Sequence, residues 1–334
     1  MNQIRDIVAD IKNRNIKPIY FLMGKEPYYI DKISDYIEDH VLEESEKGFN
    51  QIVMYGRDTS IEEIVSSAKR YPMMAKYQVL IVKEAQDLSR TIENLVSYAE
   101  KPQPTTVLVL NYKYKKLDKR KKLHKAISKS GLIYESKKMY ENQVSDWIRR
   151  VLSGKKFQIE PKASQMLVEF LGTDLSKINN ELEKLITVLP KNTIISPIHI
   201  EENIGISKDF NNFELRKSVG EKNVVKANRI INYFAENQRK NPLVMTISSL
   251  NIFFTQVLEY HGLKSKDKTT VAKRFGVNPY FVGDYVTAAR NYPMRKVSQI
   301  IGFLREADLK SKGVGAHGMP QSDILKELLF KIMH

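Results

Sequence analysis

The chain has 334 residues, of which 42% are hydrophobic, enough to build the packed cores of two or three domains. It has no cysteine, which excludes a disulfide scaffold, a thiolate zinc site and a cysteine nucleophile, and which fits a reducing cytoplasm. The formal net charge of +15 at pH 7 favours anionic partners, nucleic acid first, with a merely solvated basic surface as the alternative.

The N-terminal segment 1–20 is charged and lacks the apolar run of a signal peptide. No stretch approaches the roughly 18 uncharged apolar residues that a membrane helix needs. We therefore expect a soluble, intracellular protein.

Short apolar runs alternate with helical patterns through the first part of the chain. Glu26 and Pro27 begin one helix, because proline suits the first helical position and an acid suits the positive end of the helix dipole. Ser60 caps another, with Glu63 at the capping-box offset. Strands separated by helices predict a mainly parallel sheet covered on both faces. The runs that predict strands are 18–22, 51–55, 78–82, 105–110 and 132–134.

From about residue 141 the strand signals stop and apolar residues recur at helical spacing. Pro161 begins one helix and Asp174 caps the next, and we interpret the sole tryptophan, Trp147, as a core residue. We predict an α/β domain at 1–140, a small helical domain at 141–208 and a larger helical domain at 209–334. This order is the layout of AAA+ proteins with a C-terminal helical collar, an analogy of fold that does not establish function.

An ATPase of this layout would carry the phosphate-binding pattern G-x-x-x-x-G-K-[ST] after its first strand. Gly24 stands at the first glycine position. Tyr29, Ile30 and Asp31 stand where the second glycine, the lysine and the hydroxyl belong. Lys83 stands where the third strand should end in a carboxylate for magnesium. We expect a degenerate site that neither binds nor hydrolyses ATP, and no cofactor or metal.

Other catalytic chemistry has little support in the sequence. There is no H-E-x-x-H pair and no G-x-S-x-G elbow. The acids Glu43, Glu44 and Glu46 are interpreted as a solvated helix end, and a carboxylate nuclease site assembled only in three dimensions is the remaining alternative. The histidines are far apart along the chain, at positions 40, 124, 199, 261, 317 and 334.

Positive charge is concentrated in the segment 113–138, which holds eleven Lys or Arg and two acids, a net +9. A helix that starts near Asp118 would place Lys121, Lys122 and Lys125 on one face. These lysines are candidate contacts to DNA phosphates, and a solvated helix is the alternative.

An apolar pair, Met73 and Met74, follows Pro72 between a predicted helix and the third strand. Pro72 ends the helix, and Ala75 and Lys76 are polar enough for a loop. An apolar pair at the tip of a loop is best explained by a partner protein. The alternative is that both side chains pack under the third strand.

Segments spread across nearly the whole chain resemble, in the same order, those of the delta subunits of bacterial DNA polymerase III clamp loaders. Each segment alone is weak, but together they are specific. Members of this family keep the AAA+ (RecA-type) parallel α/β fold without a functional P-loop, followed by a helical lid domain and a helical collar domain. The matching segments are 18–31, 71–84, 116–123, 173–185, 275–280 and 304–313.

The resemblance implies a non-catalytic subunit of the DNA polymerase III holoenzyme that binds the beta sliding clamp and opens it. Its partners would be delta-prime and gamma/tau subunits in a hetero-pentamer, and primed DNA, at a nucleoid-associated replisome in the bacterial cytoplasm. Pro72, Met73 and Met74 would form the clamp-binding loop. The family usually has a bulky aromatic or leucine pair there, and methionine is a flexible substitute. Which methionine dominates stays open.

Two other classes of function stay open from the sequence. One is an active AAA+ ATPase of another clamp-loader or helicase-loader type, against which the lost phosphate and magnesium residues argue. The other is a stand-alone basic DNA-binding protein, which would leave the methionine loop and the C-terminal helices without a role.

Overall fold

The computed structural model describes residues 2–315 and 318–334, so His317 lies outside the described residues. The chain divides into two compact units, Met1–Met139 and Tyr140–His334. The further division of the second unit near residue 208 stays a prediction.

The first unit is built on a five-stranded sheet in the order β2-β3-β4-β1-β5. Every pairing is parallel, which confirms the predicted sheet. Because the strands are parallel, β1, β3 and β4 end at one edge of the sheet, at Gly24, Lys83 and Lys113. The strands are β1 Ile19–Gly24, β2 Gln51–Tyr55, β3 Gln78–Lys83, β4 Thr106–Lys113 and β5 Leu132–Ser136.

Helices flank this sheet. Successive residues of a strand belong to two separate clusters of buried apolar side chains. Phe21 belongs to one cluster, and its neighbours Tyr20 and Leu22 belong to the other. The helices are α1 Asn2–Lys12, α2 Pro27–His40, α3 Glu44–Asn50, α4 Ile61–Ala68, α5 Val96–Glu100 and α6 Lys122–Ser130, with short 3-10 helices at Ala85–Leu88 and Ile92–Leu95.

The predicted helix caps are present. The Glu26 side chain accepts the Tyr28 N–H at the start of α2, and Ser60 accepts the Glu63 N–H at the start of α4.

The prediction that a helix starts near Asp118 is wrong, because α6 begins at Lys122. The Asp118 carboxylate accepts the backbone N–H of Arg120 at 2.9 Å and also pairs with its guanidinium. Such a local bond offers the backbone an alternative to the helix. Lys121 is therefore an extended residue before the helix rather than part of its face.

The second unit is almost entirely helical, and Trp147 is 2% exposed, as expected of a core residue. Its helices are α7 Glu141–Gly154, α8 Pro161–Leu171, α9 Leu175–Val188, α10 Pro197–Ile204, α11 Asn212–Gly220, α12 Val224–Glu236, α13 Leu243–Gly262, α14 Lys268–Phe275, α15 Val282–Asn291, α16 Met294–Ser311 and α17 Gln321–Met333, with a 3-10 helix at Pro279–Phe281.

The expectation of no strands after residue 141 is wrong at one place. Strand β6, Gln158–Ile159, pairs in parallel with β7, Ile194–Ile195. Two residues are too short to show the alternation by which a strand is recognised in a sequence. In the described part of the chain, no helix is both long enough and apolar enough to cross a membrane.

Candidate functional site

The loop after β1, where an ATPase would bind phosphate, is closed by bonds within the chain. The Gly24 N–H donates to the Lys115 carbonyl at 3.1 Å, and the Lys25 N–H donates to the Ser136 carbonyl at 3.1 Å. The Glu26 N–H donates to Ser136 Oγ at 3.2 Å. The amides that would face a phosphate in a P-loop are therefore already engaged.

Close backbone packing at Gly24 leaves no space for a phosphate to be bound as in a P-loop. Gly24 has φ of +128°, and a Cβ built there would lie 2.1 Å from the Ser136 carbonyl oxygen. Glycine is required here for two reasons, because side-chain residues avoid this φ and because the end of β5 approaches so closely.

The N-terminus of α2, which would receive phosphate charge in an ATPase, is capped by a carboxylate. Glu26 is 3% exposed, and its side chain accepts the Tyr28 N–H at 3.2 Å. An acid at this position stabilises the positive end of the helix and would repel an incoming phosphate.

The remaining predicted residues of the degenerate site do not converge on one point. Ile30 is fully buried in the core. Tyr29 is half-buried and packs edge-on against Tyr28. Lys83, at the expected magnesium position, forms an ion pair of 3.4 Å with Glu38. These side chains serve packing and charge balance in the first unit.

Lys113, at the end of β4, supplies a positive charge in this region. Its Nζ lies 2.9 Å from Asp31 Oδ1 and 2.7 Å from Glu84 Oε1, and its side chain is only 13% exposed. Asp31 is the residue at the predicted hydroxyl position. The two carboxylates are thus neutralised in part by an ammonium of the chain itself.

The pKa values in this cluster follow the ion pairs. Burial of Glu84 opposes its ionisation, but hydrogen bonds from Lys113 and Gln86 outweigh burial and lower the pKa of the carboxyl. Burial also disfavours the charged form of Lys113, but its bonds to Glu84 and Asp31 raise the pKa of the ammonium. The Glu84 carboxylate and the Lys113 ammonium are therefore both held in their charged forms.

The loop between α4 and β3 presents apolar side chains to solvent. Met74 is 100% exposed, Met73 is 60% exposed and Tyr71 is 79% exposed, whereas Pro72 is half-buried. The alternative that both methionines pack under the third strand is therefore wrong. Met74 also has φ of +53°, a left-handed conformation that costs a side-chain residue about 1 kcal/mol.

The start of this loop is tied to the sheet by buried polar side chains. Gln78 Nε2 donates to the carbonyl of Arg70 at 2.6 Å, and Thr106 Oγ1 donates to the carbonyl of Ala68 at 2.7 Å. The Asn50 side chain, from the end of α3, bonds both to the N–H and to the carbonyl of Met73. The exposed methionines thus stand on a backbone that is bonded on its inner side.

The candidate DNA-contacting lysines are all exposed, but only two of them belong to a helix. Lys122 and Lys125 lie three residues apart on α6, whereas Lys121 precedes it and approaches Glu93 at 3.9 Å. Positive charge at a helix N-terminus is unfavourable for the helix itself. These charges therefore do not serve the stability of α6.

No other site emerges in the described residues. Among them, no group of three or more His, Asp or Glu side chains is placed to hold a metal ion. Glu43 and Glu46 form a capping box at the start of α3, which agrees with a solvated helix end.

Sequence reasoning missed three residues of these regions, namely Lys113, Ser136 and Asn50. Lys113 and Ser136 could have been found, because the last residues of parallel strands meet at one edge of the sheet. Asn50 lies 23 residues before its partner Met73, and no pattern in the sequence links the two.

The comparisons with known proteins agree with one another. Residues 20–137 match the family model for DNA polymerase III, delta subunit. The chain is 25% identical over 317 residues to DNA polymerase III subunit delta of Bacillus subtilis (strain 168). These aligned residues cover 92% of this chain and 91% of that protein. The solved Bacillus subtilis DNA clamp loader delta protein has a similar fold, with a TM-score of 0.54, 22% identity and 99% of each chain covered.

Proposed function

We propose that this chain, which is similar to DNA polymerase III delta subunits, binds the beta sliding clamp and opens it for loading onto primed DNA during chromosomal replication. It acts as a non-catalytic subunit and does not hydrolyse ATP itself. Its partners are the delta-prime and gamma/tau subunits in a hetero-pentamer, at the replisome in the cytoplasm. Residues 141–208 form the lid domain and residues 209–334 form the collar that joins the subunits.

The observation that carries the proposal is the pair of exposed methionines on an anchored loop. Met73 and Met74 expose 60% and 100% of their surface, and the adjacent backbone is bonded to buried side chains. Apolar anchors that enter a pocket on the partner dominate protein–protein affinity. Methionine suits such a pocket because its side chain is unbranched and adaptable.

The region after β1 supports the non-catalytic part of the proposal. The amides of Gly24, Lys25 and Glu26 already donate within the chain, and Lys113 neutralises the nearby acids. Nucleotide binding would have to break these bonds. ATP hydrolysis in the complex then belongs to other subunits.

DNA contact is proposed for the exposed lysines around the start of α6. Lys121, Lys122 and Lys125 meet phosphates only in the assembled loader. An active ATPase remains the second candidate, and stoichiometric binding of Mg²⁺-ATP by the isolated chain would favour it. A stand-alone DNA-binding protein would bind DNA tightly without any clamp.

The test is the double variant Met73→Ala, Met74→Ala, with binding to immobilised beta clamp measured beside thermal melting. Removing two anchors should weaken binding by roughly a hundredfold, about 3 kcal/mol. The melting temperature should stay unchanged, because both side chains are exposed and their loss makes no core cavity.

The matched control is Met245→Ala, Met294→Ala, which removes two methionines that are 54% and 50% exposed in the second unit. It should bind the clamp as the wild type does. Full clamp binding by the loop variant, or equal losses in both variants, would refute the proposed contact.

A further inference from the structure

The side chain of Asn50 connects the end of α3 to the methionine loop. Its Oδ1 accepts the Met73 N–H at 2.6 Å, and its Nδ2 donates to the Met73 carbonyl at 3.0 Å and to the Glu46 carbonyl at 3.0 Å. Asn50 is 2% exposed, so the amide that makes these bonds is itself buried. Both polar groups of the amide are used, and two of the three bonds go to one loop residue.

Asn50 is itself held by the sheet. It is the last residue of α3, and the next residue, Gln51, begins β2 and pairs with Val79 of β3. The two bonds to Met73 therefore tie the middle of the loop to the sheet, while Gln78 ties its start through Arg70. Met74 follows immediately, with its left-handed backbone and fully exposed side chain.

We propose that Asn50 is a positioning residue for the clamp contact: it fixes the Met73 backbone, so that both methionines are displayed before the clamp arrives. This inference rests on the proposed function. A binding loop ordered in advance loses less conformational entropy on association, and it binds more tightly with the same contacts. The bonds to Asn50 supply that order, because the side chains of Met73 and Met74 are themselves exposed.

The primary variant is Asn50→Ala, which removes all three bonds. We expect the Kd for immobilised beta clamp to rise about tenfold, which corresponds to about 1.4 kcal/mol. The second variant, Asn50→Asp, leaves no cavity, but it loses the donor and sets a carboxylate oxygen against the Met73 and Glu46 carbonyls. Asn50→Asp replaces Asn50→Ala in the clamp-binding measurement if Asn50→Ala folds poorly.

The control for lost stability is Ile127→Ala, because Ile127 is a core residue of the first unit, 1% exposed on α6 and remote in sequence from the loop. The cavity should lower the melting temperature and leave the Kd for the clamp unchanged. A Kd that rises equally in Ile127→Ala would mean that Asn50 acts through stability alone, which overturns the inference.

Hydrogen exchange gives a readout that does not depend on the clamp. In the wild type the Met73 amide hydrogen should exchange more slowly than is usual in an exposed loop, because it is hydrogen-bonded to Asn50 Oδ1. In Asn50→Ala its exchange should accelerate severalfold more than that of amides in β3. Unchanged protection of Met73 in this variant would overturn the inference.

A double-mutant cycle separates this inference from the proposed function. In the Met73→Ala, Met74→Ala background, Asn50→Ala should have little further effect on clamp affinity, because no anchors remain to be positioned. A full tenfold effect in that background would overturn the positioning role. If the methionine variant binds like the wild type, the proposed clamp contact fails. If only the methionine variant loses binding and Asn50→Ala does not, the positioning role alone fails.

Discussion

Two loops of the first unit differ in which of their groups are bonded within the chain and which are left in solvent. The loop after β1, at the place of a phosphate site, has its amides bonded to Ser136 and Lys115, and Lys113 pairs with Asp31 on the helix that follows. The loop before β3 is bonded on its inner side and leaves Met73 and Met74 in solvent. The first loop thus satisfies its polar groups within the chain, whereas the second leaves apolar side chains in water, as the proposed clamp contact requires.

The same contrast applies to the lysines. Lys113 is 13% exposed and paired with two carboxylates, so its charge is used within the first unit. Lys122 and Lys125 are exposed at the N-terminal end of a helix that gains nothing from them. We expect changes in the first group to alter stability and changes in the second group to alter binding.

The largest effect is expected for Gly24→Ala. Its Cβ would meet the Ser136 carbonyl oxygen, and φ of +128° is strained for alanine, so unfolding free energy should fall by about 3 kcal/mol or more. Urea denaturation measures this. Gly48→Ala is the control, because nothing lies within 4 Å of its added Cβ within helix α3. Equal stability of the two variants would contradict the close packing at Gly24.

A smaller effect is expected for the triple variant Lys121→Glu, Lys122→Glu, Lys125→Glu in the assembled loader. DNA binding should weaken about tenfold, and the log–log salt slope should flatten by up to roughly 2.7, because three phosphate contacts are lost. Filter binding across salt concentrations measures both.

The control triple variant is Lys264→Glu, Lys266→Glu, Lys268→Glu, which reverses three exposed charges of the second unit. Its salt slope should match that of the wild type. A slope that the first triple variant leaves unchanged would show that its lysines are merely solvated.

The smallest effect is expected for Lys113→Met, about 1 kcal/mol of unfolding free energy at neutral pH, since both carboxylate partners are more than a third exposed. The lowered pKa of Glu84 means that the pair stabilises the fold above the ordinary carboxyl pKa of about 4.3. This contribution is lost as pH falls through the lowered value.

The difference in unfolding free energy between wild type and Lys113→Met should therefore shrink as pH falls from neutral through the lowered pKa of Glu84. The raised pKa of Lys113 acts at alkaline pH. The contribution of this ammonium to stability is lost only as pH rises through that pKa. Lys101→Met, at an exposed lysine, is the control and should show no such pH dependence. A difference that is constant from neutral to acid pH would argue against the ion pairs.

Local chemistry made much of the fold predictable. The five apolar runs became the five strands of the first unit, and the caps at Glu26, Ser60 and Asp174 are present. These signals lie within a few residues of the structure they specify. The loss of the phosphate pattern could be recognised for the same reason, because that pattern is a short segment whose spacing is read directly.

Side-chain partners that are distant in the chain depended on the tertiary structure. The sequence by itself determined that Met73 and Met74 follow a helix and precede a buried strand, but it left open whether they were exposed. Parallel strands that end at one edge bring Lys113 to Asp31 and Glu84, and the junction of α3 with β2 brings Asn50 to Met73. Only folding decides such pairs, because a hydrogen bond of about 3 Å requires atomic positions that hydrophobic patterning does not specify.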